Sequence, residues 1–158
     1  MKQYIEPFIT VCKDVFREFL DQSLEAELPF FMEKDSLTEW DVSAVIGLTG
    51  EAKGAVVISM KVDLAAKLTG ILTGKDHNGL DDDVVDAIGE IVNIIAGNVK
   101  HNLEEAFKLV ISLPTIIKGE GHSIAWPVGQ ARVICIPFST TGKDTFTLSI
   151  ALEAVKTR

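Results

Sequence analysis

In the stretch GEIVNIIAGNVK, residues 89–100, a carboxylate and a carboxamide stand three positions apart, Glu90 and Asn93, with Gly97 following them. On a helix turning about 100° per residue, Asp86, Glu90, Asn93 and Gly97 share one side, and Glu90 and Asn93 become neighbours one turn apart. Neither is a nucleophile. The carboxamide cannot act as a general base, but its oxygen accepts one hydrogen from water and holds the water oxygen in line with an electrophile. A glutamate meets a lysine or joins a magnesium shell. Such a pair completes a site whose electrophile and metal come from elsewhere. An acyl phosphate on a partner protein fits, because its hydrolysis is limited largely by positioning.

Any surface helix carries polar residues outside, so a Glu and an Asn there are unremarkable by themselves. Three features go further. Asn is a poor helix former, and Gly97 costs about 1 kcal/mol relative to Ala in a helix interior, so a face chosen for stability would carry other residues. Gly97 lies one turn beyond Asn93, where a missing side chain lets another surface approach the helix backbone. Ile94 borders the face and offers an apolar shoulder to a partner. Asp86, Ile94 and Gly97 are therefore the expected partner contacts around Glu90 and Asn93.

The elements that position this face follow from periodicity. Residues Val84, Ile88, Ile91, Val92, Ile95, Val99, Leu103, Ala106 and Val110 form one apolar stripe, which predicts a helix from about Asp82 to Val110, opened by Asp81, Asp82 and Asp83. Upstream, apolar residues recur at three and four from Ile5 to Leu28, predicting an amphipathic helix ended by Pro29. DVSAVIGLTG and GAVVISMKV read as a hairpin with its turn over Gly50–Gly54, and Asp63 as the cap of a short helix over LAAKLTGIL. SLPTIIKGEG, SIAW, ARVICIPF and TFTLSIALEAV read as strands. The order predicts an α+β fold, an antiparallel sheet with long helices packed on one face.

The 158 residues, 47% of them hydrophobic, suit a single domain over residues 1–158. A formal charge of -8, with no Lys/Arg cluster, argues against a nucleic-acid partner. Charged residues interrupt the apolar run of the N-terminus, so neither a signal peptide nor a membrane span is expected. Cys12 and Cys135 lack the spacing of a metal or redox pair and read as reduced, packed thiols, which favours a cytoplasmic location. His77, His101 and His122 share no spacing that would gather them around a metal. No nucleophile elbow or phosphate-binding loop is present in the sequence. Helix capping accounts for Asp81, Asp82 and Asp83, and packing for Trp40 and Trp126.

Glu90-Ile91-Val92-Asn93, embedded in DAIGEIVNIIAGN, resembles the E-x-x-N helix of the CheC/CheX/FliY family of CheY-phosphate phosphatases. SLPTIIKGEGH, VICIPF and the initial IEPFITV resemble CheX-type segments, so the resemblance covers nearly the whole chain. It implies that Asn93 orients the attacking water and Glu90 pairs with a lysine of the phosphorylated receiver. Mg2+ would belong to that receiver, with no cofactor of the chain's own. CheC-like members carry a second such motif on their first helix. This chain has no Asn before Asn78, so it conforms to the single-site pattern. The resemblance also implies a homodimer formed through the sheets, with an exposed edge expected at SIAW. The competing expectation is a non-catalytic receiver-binding or signalling adaptor that uses the same helix.

Overall fold

The computed structural model describes residues 2–32, 39–124, 126 and 132–156. Its elements run α1 (Lys2–Leu20), β1 (Glu25–Ala26), β2 (Phe30–Phe31), β3 (Val42–Gly50), β4 (Ala52–Met60), α2 (Val62–Thr73), α3 (Asp82–Leu103), β5 (Leu109–Ile111), β6 (Thr115–Lys118), β7 (Ile134–Ser139) and β8 (Thr145–Ala154). The strands form one sheet in the order β1-β7-β8-β4-β3-β5, with β2 also on β7 and β6 also on β3. Every pairing among them is antiparallel.

Strand alternation assigns the two faces. Register sets Val42 opposite Met60, Ala44 opposite Ile58 and Ile46 opposite Val56, and continues across β8 with Phe146, Leu148 and Ile150. These residues join one buried cluster with Phe8, Cys12, Val15 and Phe16 of α1, Leu64 and Leu68 of α2, and Val84, Ile88, Ile91, Ile95 and Val99 of α3. The helices thus lie on one face of the sheet, as the α+β expectation required. Phe16, Phe146 and Phe138 stack through its middle, with successive ring centroids 4.7 and 5.2 Å apart. On the other face Ser43 Oγ meets Ser59 Oγ at 2.6 Å and His122 Nε2 at 2.6 Å.

Several boundaries differ from expectation, each for a local reason. α1 stops at Leu20, well before Pro29, because Asp21 turns left-handed (φ 50) and the Gln22 N–H returns to the Phe16 carbonyl. The freed chain adds β1 and β2 to the β7 edge. The hairpin turn is tighter than Gly50–Gly54: Gly50 takes φ 114 and β4 resumes at Ala52. Gly54 then lies inside the strand, where a Cβ would collide with the Ala151 carbonyl. α2 begins at Val62, so Asp63 falls in its first turn, and the Val62 N–H is taken instead by Asp41 Oδ2 at 2.8 Å. α3 ends at Leu103. Beyond it Leu109 is buried while Val110 is 62% exposed, the alternation of a strand paired with Thr49 and Gly50. Ser123, Ile124 and Trp126 belong to no strand, and Ala125 lies outside the described residues. The sheet's outer strands are instead β1 and β2 on one side and β5 and β6 on the other.

Candidate functional site

α3 is the one long helix whose two sides both matter. Its inner stripe, Val84, Ile88, Ile91, Val92, Ile95, Val99 and Leu103, is buried, and Ala96 and Gly89 extend it. Pro114 and Ile116 come to 3.5 and 3.4 Å from where a Gly89 Cβ would stand, so the β5–β6 segment lies against the helix there. The helix begins as its aspartates predict: Asp81 Oδ1 accepts the Val84 N–H at 2.9 Å. That amide, then the His77 ring, holds the Asp81 carboxyl below its usual range.

The outer side carries the predicted face. Asp86 and Glu90 are exposed, while Asn93, Ile94 and Gly97 are partly buried. Nothing lies within 4 Å of the place a Gly97 Cβ would occupy, so the backbone beside Asn93 is open to an approaching surface. Ile94 packs in part against the core, so only part of its side chain remains to serve as an apolar shoulder. Neither the Glu90 nor the Asn93 side chain has a hydrogen bond or ion pair with another described residue. The structure therefore brings all of the sequence-predicted site residues onto one helix face and leaves the two polar groups unspent, on a backbone fixed by the core beneath it.

No further catalytic machinery gathers on this face among the described residues. His77, Asp81 and Asp83 do come together, with one ligand atom of each within 4.8 Å of the others, a grouping that sequence spacing did not suggest. Both nitrogens of His77 are engaged there, Nδ1 at 3.2 Å from Asp81 Oδ2 and Nε2 at 2.8 Å from Thr73 Oγ1. Histidine and aspartate thus tie the end of α2 to the start of α3. His122 places Nδ1 2.7 Å from the Gly119 carbonyl, and His101 Nδ1 stands 4.0 Å from Glu104. Cys12 and Cys135 are free and buried, and burial pushes both thiols up. A groove of about 700 Å³ runs along α2 beside residues 74–79, with Lys67, Ile71 and Lys75 among its lining. It takes no residue from the Glu90–Asn93 face.

Residues 42–139 match the family model described as chemotaxis phosphatase CheX. A curated relative from Thermotoga maritima, named CheY-P phosphatase CheX, is 30% identical over 112 residues, which is 70% of each chain. The crystal structure of a chemotaxis protein CheX from Desulfovibrio desulfuricans superposes with a TM-score of 0.85 at 30% identity, covering 96% of this chain and 99% of that one. A Borrelia burgdorferi CheX, solved in complex with CheY, BeF3 and Mg2+, superposes with a TM-score of 0.81 at 27% identity over 95% and 97% of the two chains. With a family match over more than half its length, and with E-x-x-N displayed on the outer face of α3, the chain belongs to the CheX family of chemotaxis phosphatases.

Proposed function

We propose that the chain is a protein phosphatase that docks α3 on a phosphorylated CheY-like receiver and accelerates hydrolysis of its aspartyl phosphate. The observation that carries this is the pair Glu90 and Asn93, one turn apart on a firmly packed helix and without partners among the described residues, next to the open backbone at Gly97. Family membership and the solved CheX–CheY complex support the receiver as the partner.

In this mechanism the Asn93 side-chain oxygen accepts a hydrogen bond from one water and aims its lone pair at phosphorus, opposite the acyl oxygen. The P–O bond to the receiver aspartate breaks as the water oxygen bonds to phosphorus. The aspartate leaves as a carboxylate, and the water's protons depart with inorganic phosphate and solvent. Glu90 pairs with the receiver lysine and fixes the helix over the acyl phosphate. Mg2+ belongs to the receiver, where it neutralises charge on the phosphoryl oxygens.

The test is phosphate release from a phosphorylated receiver with and without the protein. Faster release is expected, whereas binding without acceleration would leave a receiver-binding adaptor. A small phosphomonoester with added Mg2+ and no receiver should not turn over, because the described residues hold no two-metal site on this face. Turnover of that ester would point to a self-sufficient metallophosphatase.

A further inference from the structure

The outer face of α3 has a charge polarity centred on Asn93. Seven residues are close to two full turns, so Asp86 and Lys100 fall on the same side as Asn93, each about 10 Å from it along the axis and in opposite directions. Asp82 extends the acidic end by a further turn. Among the described residues none of Asp82, Asp86 and Lys100 is in an ion pair. The helix dipole accounts for Asp82 in the first turn and Lys100 in the last, but its influence fades within those turns. Asp86 lies beyond the first turn, where aspartate is a weak helix former and leaves the dipole little to gain. At the far end Glu104 follows Lys100, but its carboxylate faces His101.

Resting on the proposed phosphatase function, we propose that Asp86 and Lys100 are specificity-determining residues that set the direction in which the receiver lies along α3. The partner they fit presents a cationic side chain toward Asp86 and an anionic one toward Lys100, with its acyl phosphate over Asn93 between them. A receiver docked the opposite way round meets like charge at both ends, and like-charge juxtaposition across an interface rejects it. Both residues are positioning groups that act through the docked orientation and touch no reacting atom. The polarity is local, since the chain as a whole carries a formal charge of -8 and would merely favour basic partners without orienting them.

The experiment compares wild type with Asp86→Lys, Lys100→Glu, the double variant and Lys53→Glu, in which a distant β4 residue paired with Glu153 changes net charge as much as Lys100→Glu does. Two readouts are taken at low and high salt: kcat/KM for phosphate release, and the Kd for the same receiver activated with beryllofluoride. At low salt each α3 reversal is expected to weaken both about threefold, and the double variant about tenfold, because solvent-exposed charge pairs interact weakly and the two residues, about 20 Å apart along the helix, act additively. The differences should shrink toward zero near 1 M salt, where the Debye length is about 3 Å, and Lys53→Glu should match wild type throughout. Recovery of wild-type values by the charge-neutral double variant, or equal losses from Lys53→Glu, would overturn the orientation proposal in favour of net charge alone. Absence of phosphate release by wild type would refute the phosphatase function instead, and the Kd series would still decide the polarity.

Discussion

At the scale of the residue, Glu90 and Gly97 make separable contributions. In the proposed mechanism Glu90 acts through a charge on the partner, so removing the charge and removing the side chain should differ. Glu90→Ala is expected to lower kcat/KM on the order of tenfold by leaving the receiver lysine poorly paired at a partly desolvated contact. Glu90→Gln keeps the shape and one acceptor and should fall between Ala and wild type; a Gln variant as active as wild type would remove the lysine partnership. In the same proposal Gly97 trades stability for access. Since nothing occupies the space where its Cβ would stand, Gly97→Leu should stabilise the helix by roughly 0.8 kcal/mol and raise Tm, yet weaken receiver binding. A raised Tm with unchanged affinity would make Gly97 an ordinary surface residue.

At the scale of the element, α3 performs two jobs, and its start is set by Asp81. Asp81→Ala should lower Tm by a few degrees at neutral pH, with Asp81→Asn losing less because an acceptor for the Val84 N–H remains. The folded-state pKa of Asp81 is depressed, so its contribution is present above the ordinary carboxylate pKa and is lost as pH falls through the lowered value. The gap between thermal melts of wild type and Asp81→Ala should narrow on acidification toward the gap between Asp81→Asn and Asp81→Ala, because a protonated carboxyl keeps an acceptor but loses its charge; a gap unchanged in acid would assign the cap's effect to something other than the carboxylate charge. The inner stripe from Val84 to Leu103, and with it the opposite face carrying Glu90 and Asn93, was legible in the sequence because 3.6-residue periodicity over many turns has one solution. Short runs were not. Ala106 and Val110 continued the stripe on paper, and only pairing with β3 decides that Leu109 and Val110 belong to a strand. The stop at Leu20 rests on a left-handed aspartate, a conformation few non-glycine residues adopt, while β1 and β2 span two residues each and have no pattern to read. Asp41 bonding to Val62 and His77 bridging Thr73 to Asp81 depend on tertiary approach that spacing does not encode.

At the scale of the whole molecule, the sheet holds the helices, the helices hold one face outward, and in the proposed function chemistry is completed by a second protein that brings the metal and the reactive phosphate. No described helix is long and apolar enough to cross a membrane. The homodimer implied by the resemblance is a further proposal at this scale; sedimentation at micromolar concentration should give twice the monomer mass, and a monomer there would discard it. The division of labour between this chain and its receiver is tested most directly at Asn93. With the phosphorylated receiver in saturating amount, wild type and Asn93→Ala are compared for phosphate release, and their affinities for the beryllofluoride-activated receiver are measured in parallel. Loss of the positioned water should slow release on the order of a hundredfold, about 3 kcal/mol in the barrier, with affinity nearly unchanged because a methyl group removes little contact area. Release by Asn93→Ala at the wild-type rate would contradict the assignment of Asn93 as the group that positions the attacking water.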